Sequence, residues 1–193
     1  MTEQPRLVYG NDLLRGELVY LDTLADSDIP QIAQYGLSME LMRYLWNIPV
    51  YPQSEDDWKA AVGRWRQRQS EQQMYPFSIR TLQDNTFIGY LFLMQLDWRN
   101  RHCLLGISIG NPEYQGHGYG TDASRLGLRY AFMELNMHRV GLEVFDYNRR
   151  AIRSYEKLGF QLEGTQRQWL LRDGQYFDMH TMGILREEWG NNR

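Results

Sequence analysis

The chain is poor in cysteine, in long apolar runs and in excess charge, and each shortage removes a class of protein. A single cysteine, Cys103, stands among 193 residues. No disulfide within the chain can form, and a reducing compartment suits it. Its place in an apolar run reads as a buried, inert thiol. No apolar run approaches the roughly 18 residues of a membrane span. The stretch from Met1 to Gly16 is polar and broken, without the apolar core of a secretory signal. A cytoplasmic protein with no membrane partner is expected. Lys and Arg number 21 against 24 Asp and Glu, a formal charge of −3. That balance supplies no broad basic face, so nucleic acid is not an expected partner. His117, His138 and His180 are scattered without metal-ligand spacing, so no metal site is expected.

What is present is an ordinary globular composition, 42% apolar and 23% charged, of a length that suits one domain over residues 1–193. Leu18 to Leu21 reads as a strand, and Asp26-Ser27-Asp28 caps a helix reaching about Tyr35. A shorter helix covers Met39 to Tyr44, and Pro49 and Pro52 then break the chain. Ser54-Glu55-Asp56-Asp57 places acidic residues at the start of a helix. Trp58, Ala61, Val62 and Trp65 give it one apolar face, and the two tryptophans read as core. Phe77 to Leu82 and Thr86 to Asp97 flank the hairpin signal Asp84-Asn85. A polar turn from Asp97 to His102 leads to a strand from Cys103 to Ile109. A loop from Asn111 to Gly120 then opens into a helix. Its stripe is Leu128, Ala131, Phe132 and Leu135, with Asp122, Arg125 and Arg129 expected to face outward. A strand from Gly141 to Phe145 precedes a helix from Arg149 to Leu158 that Asn148 can cap. Two last strands, Phe160 to Leu171 and Tyr176 to Leu185, meet at Asp173-Gly174. This order predicts a mixed α/β (α+β) fold, one mostly antiparallel sheet with helices on both faces.

The segment Gln115-Gly116-His117-Gly118-Tyr119-Gly120-Thr121 lies between a strand and a helix. Three alternating glycines cost backbone entropy and let the main chain approach a ligand closely. Free amides at the helix start then form a cradle for an anion such as phosphate. A glycine-rich tight turn is the alternative. The P-loop pattern fails because Thr121-Asp122 follows Gly120, and the dinucleotide fingerprint fails because Thr121 stands where its third glycine belongs. Gly106-Ile107-Ser108-Ile109-Gly110 matches the nucleophile elbow of serine hydrolases. The elbow needs a helix directly after the serine, whereas Asn111-Pro112 forces a turn.

The glycine segment fits Gln-x-x-Gly-x-Gly, and Asn148 to Phe160 carries Asn, then Ala151, then Tyr155-Glu156-Lys157-Leu158-Gly159-Phe160. With both blocks in order, the chain resembles the GNAT superfamily of acyl-CoA-dependent N-acyltransferases. The likeness runs from about Thr86 onward. It is closest to the branch of ribosomal-protein N-terminal and polyamine acetyltransferases.

The resemblance implies acetyl-CoA as co-substrate, an amine acceptor (protein N-terminus or small molecule), and direct attack in a ternary complex. It also implies a splayed central strand pair, and it is compatible with a homodimer. Amides from Gln115 to Thr121 would hold the pyrophosphate, including those of Gly116, His117, Gly118, Tyr119 and Gly120. Backbone of Ile107, Ser108 and Ile109 would pair with the pantetheine arm. Asn148 would bond a pantetheine amide with Ala151 beside it, although its bare reading is a helix cap. Tyr155 would meet the CoA sulfur as the acid, although spacing alone puts it on the helix's inner face. Many relatives carry a glutamate two places before the strand glycine, and here Leu104 stands there. Glu143 is therefore the candidate base, with Asp146 and Ser108 as poorer ones. The absence of that glutamate leaves a non-catalytic acetyl-CoA-binding or regulatory module of the same fold as the alternative. Acceptor choice is expected to depend on the loops near Tyr35 to Pro52 and Trp169 to Asp178, where Trp46, Tyr51 and Trp169 either wall the pocket or belong to the core.

Overall fold

A computed structural model describes residues 13–45 and 49–191. Trp46 lies outside them. Strand β1 (Val19–Asp22) is followed by three helices: α1 (Ile29–Gly36), α2 (Met39–Leu45) and α3 (Glu55–Ser70). An antiparallel meander comes next, made of β2 (Met74–Thr81), β3 (Phe87–Asp97) and β4 (His102–Ile109). Helix α4 (Tyr119–Met133) crosses to β5 (Arg139–Phe145), and α5 (Arg149–Lys157) leads to the hairpin of β6 (Gln161–Arg172) and β7 (Gln175–Leu185). Helix α6 (Arg186–Asn191) ends the described chain. All seven strands form one sheet in the order β1-β2-β3-β4-β5-β7-β6. Every neighbouring pair is antiparallel except β4 and β5.

Local chemistry sets most boundaries. Ser54 caps α3 by accepting from the Asp57 amide, while the Asp57 carboxylate accepts from the Ser54 amide, a reciprocal pair that satisfies two otherwise orphaned donors. Asn85 takes a positive φ of 61° at the β2–β3 turn. Asp173 and Gly174 both do so at the β6–β7 turn, the left-handed geometry that tight hairpins favour. β2 begins three residues before the expected Phe77 and runs through Pro76. A proline is tolerated there because β1 reaches only Ser78 to Thr81, so at Pro76 the strand is an edge and needs no donor on that side.

Two cores sandwich the sheet. Strand residues alternate between them, so Leu91, Leu105 and Leu142 meet Leu126 and Phe132 of α4 on one face. Tyr90 meets Ile32, Met42, Trp58 and Val62 of the first three helices on the other. Trp58 of α3 is core and Trp65 packs against it partly buried, on the face their spacing predicts, and Cys103 is fully buried. Burial raises its thiol to about 12, which leaves it an inert apolar filler.

One expectation is overturned on α4. Asp122 does not face solvent: it is 3% exposed, and one of its carboxylate oxygens accepts from the amides of Glu17, Leu18 and Val19 at 2.9, 2.8 and 3.1 Å. The entry to β1 has no strand on its outer side, and this carboxylate satisfies its donors instead. Arg129 is likewise drawn in, donating to the carbonyls of Leu13 and Arg15 at 2.7 Å. Arg125 alone of the three faces outward, paired with Asp122 at 3.1 Å.

Candidate active site

The site begins where the sheet stops being a sheet. β4 and β5 pair only at His102, Cys103 and Leu104 against Arg139, Val140 and Gly141. Beyond that point β4 runs on to Ile109 and β5 to Phe145 without bonding each other. The two strands part, each presenting an unpaired polar edge that needs a partner. A cleft of about 690 Å³ fills the gap, lined by β4 from Leu104 to Ile109 and by Glu143, Val144 and Phe145.

Helix α4 starts at the open end of this wedge. Gly116 and Gly118 carry φ values of 83° and 91°, left-handed conformations that a Cβ strains. Gly118 is the cap residue and supplies no side chain to the first turn. The leading amides of α4 therefore keep their hydrogen-bonding capacity for an outside acceptor, with the positive end of the helix dipole behind them. Gly116, Gly118, Gly120 and Thr121 line the cleft. His117 is exposed and Tyr119 packs its ring edge-on against Tyr114. Neither residue is among those that line the cleft.

Three contacts fix the loop. Gln115 Nε2 donates to the Ile109 carbonyl at 2.8 Å, and its Oε1 accepts from Arg150 at 2.9 Å. The hydroxyls of Thr121 and Ser154 lie 2.7 Å apart, joining α4 to α5. Arg150, Arg153 and Lys157 of α5 bring positive charge to the cleft lining. These three were not singled out from the sequence, although their i, i+3, i+7 spacing marks one helix face. Ser124, 1% exposed, also lines the cleft from α4.

Asn148 caps α5, its Oδ1 accepting from the Ala151 amide at 3.3 Å. It lines the cleft too, as does Ala151, so the cap and a place in the cleft wall coexist. Tyr155 is 8% exposed, lines the cleft and stands edge-on to Phe160 at 5.7 Å. Burial pushes its phenol up to about 12, because the anion loses hydration there.

The carboxylate candidates separate. Glu143 is exposed on β5 and lines the cleft on the face away from α4. Asp146 does not line it. Ser108 does, but it is 3% exposed within a continuous strand opposite Tyr90. Helix α4 begins only at Tyr119, so the serine occupies no strand-to-helix elbow. Tyr51 and Trp169 are about half exposed and neither lines the cleft. Tyr44, Met94 and Met179 do so instead. No group of three or more potential metal ligands occurs among the described residues, and no helix among them is long and apolar enough to cross a membrane.

This geometry has close parallels. The spermidine N-acetyltransferase of Vibrio cholerae, solved in complex with CoA and spermine, superposes with a TM-score of 0.79 at 26% identity, covering 90% of this chain and 98% of that one. By sequence, the uncharacterized N-acetyltransferase YokL of Bacillus subtilis is 28% identical over 177 residues, 92% of this chain and 95% of its own length. The putative ribosomal N-acetyltransferase YdaF of Bacillus subtilis is 30% identical over 139 residues, 72% of this chain and 74% of its own. The acetyltransferase (GNAT) domain family matches residues 19–161, a span that holds both parted strands, the glycine loop and α5. The chain belongs to the GNAT family of acetyltransferases.

Proposed function

We propose that the chain transfers acetyl from acetyl-CoA to a primary amine, holding donor and acceptor together in the cleft between β4 and β5. The observation that carries this reading is the parting of those strands directly in front of an uncapped, glycine-led helix. Backbone from Ile107 to Ile109 suits an amide-bearing arm, which pairs with an open strand edge as a strand would. The amides of Gly116 to Thr121 suit a diphosphate, and Arg150, Arg153 and Lys157 add the charge that it needs. Asn148 spends its oxygen on the helix cap, so its NH2 group is what remains to bond a carbonyl of the arm.

Acetyl-CoA supplies an activated thioester; the residues supply position and proton control. A free alkyl amine has a pKa near ~10.4 and is protonated at neutral pH, so a base must act before attack. Glu143 is the base in this proposal, directly or through a water. Tyr155 faces the departing sulfur. With its phenol at about 12 against roughly 8.5 for a thiol, it holds its proton and serves as a hydrogen-bond donor to developing thiolate charge. The proton that ends on sulfur then comes, on balance, from the amine.

Calorimetry of the purified chain with CoA tests the donor half. Micromolar or tighter binding is expected, and no binding would end the proposal. Glu143→Gln tests the base: kcat/KM should fall on the order of tenfold or more, and its acidic limb should move. An unmoved pH profile would remove Glu143 from that role.

A further inference from the structure

The cleft is chemically polarised, and the end far from the glycine loop describes its acceptor. The charged groups toward α5 are the cations Arg150, Arg153 and Lys157. Across the sheet the wall is mainly apolar: Leu41 of α2, Met94 of β3, Leu104 of β4, Phe145 of β5 and Met179 of β7, with the uncharged amide of Gln95 beside Met94. Aromatic rings continue it outward. Phe145 stacks on Tyr147 at 5.3 Å between centroids, and Tyr147 meets Tyr44 at 5.6 Å. Tyr44 belongs both to the cleft and to an adjoining recess of about 230 Å³ that Tyr147 also lines.

Among the described residues, Glu143 is the one carboxylate in the cleft lining. Glu40 lines the adjoining recess, but beside Arg149 and Arg150, so that recess does not favour a second cation. A polyamine brings two or more ammonium groups several methylenes apart, and each needs its own partner once water is displaced. Among the described residues this wall offers one charged partner, Glu143, and otherwise only the neutral polar groups of Gln95 and Tyr44. The rest of it rewards carbon surface, especially flat rings.

Resting on the acetyl-CoA reading of the same cleft, we infer that the acceptor is an apolar primary monoamine, its amino group at Glu143 and its aromatic or branched-alkyl body along the Phe145–Tyr147–Tyr44 wall. The spermidine acetyltransferases among its relatives would then share its donor half and differ in the acceptor half.

The test offers the full-length protein acetyl-CoA with equimolar 2-phenylethylamine and spermidine, and counts the acetylated products by mass spectrometry. CoA affinity is measured on the same preparation. Acetylphenylethylamine should exceed acetylspermidine on the order of tenfold or more. Leu104→Glu, which adds a second carboxylate beside the first, should shift that ratio toward spermidine about tenfold with CoA affinity retained. Spermidine acetylated equally or better by the unaltered protein overturns the inference, as does acetylation of neither amine by protein that binds CoA. Protein that binds no CoA overturns the donor reading itself, and the inference with it.

Discussion

The two ends of the cleft are made of different material. The α4 end is backbone: a few consecutive amides, bent by Gly116 and Gly118 at positive φ and braced by Gln115 and the Thr121–Ser154 contact. The β5 end is side chain: it draws Leu41, Met94, Leu104, Glu143 and Met179 from five separate elements. Backbone donors recognise a group common to a whole class of ligands, and their geometry tolerates change in neighbouring side chains. A wall of scattered side chains can be retuned residue by residue without touching the loop. The donor half should therefore fail through backbone support, and the acceptor half through single side chains.

The largest expected effect strikes the support of the backbone end. Asp122 sits in the first turn of α4 and holds three amides at the entry to β1 while pairing with Arg125. Asp122→Ala orphans those donors and leaves a small void. At roughly 1–3 kcal/mol per lost charged acceptor contact, with partial relief where water reaches the exposed Glu17 and Leu18, the loss should be about 3 kcal/mol of stability. Urea denaturation reads it as a lower midpoint at unchanged slope. The same variant should weaken CoA binding more than it raises the acceptor KM. An equal effect on both would blur the distinction between the two ends.

Next in size is Tyr155, which stands where the two ends meet. A hydrogen bond to developing charge is worth roughly 1.5–3 kcal/mol, so Tyr155→Phe should lower kcat on the order of 10–100-fold and leave CoA affinity nearly unchanged. Kinetics paired with calorimetry separates the two. The pH dependence has a definite sign. Burial places the folded-state phenol at about 12, above its unfolded value near ~10. Its contribution to stability is complete below pH 10 and is lost as the pH climbs through about 12. Tyr35 and Tyr90 are raised to about 12 by burial in the same way. Thermal stability should therefore decline across that window, and less steeply in Tyr155→Phe.

This difference in material also explains what the sequence could reveal. The glycine loop, the Asn148 cap, the Asp84-Asn85 and Asp173-Gly174 turns and the α3 tryptophan face are all local, set by residues within a turn or two of each other. They were legible. The inward Asp122 was not, because its partners lie 103 to 105 positions away and an acidic residue in a first helical turn is ordinarily content at the surface. The side chains of the cleft wall were hidden for the same reason. Tyr51 and Trp169 have the right chemistry, but the strand register turns Phe145 and Met179, paired across β5 and β7, into the cleft. A left-handed Gln95, φ 52°, next to the register shift after Met94, is likewise invisible in a run of apolar letters.

The smallest effect probes whether the backbone end needs its side-chain brace at all. Gln115 ties the last residue of β4 to the loop and the loop to Arg150, through one donor and one acceptor. Gln115→Met keeps the length of the side chain and removes both bonds. The bond from Gln115 to the Ile109 carbonyl is only partly buried, so water can take over part of the loss, and the net cost should be about 1 kcal/mol. That corresponds to about a fivefold weaker CoA dissociation constant, with a smaller change in the acceptor KM, because Gln115 stands apart from the Leu41 to Met179 wall and meets the acceptor side only at the recess of Tyr44 and Tyr147. Calorimetry with CoA, set beside acceptor kinetics, reads both numbers from one variant. If the acceptor KM shifts as far as the CoA affinity, the loop is not an independent backbone device, and the two ends of the cleft move as one.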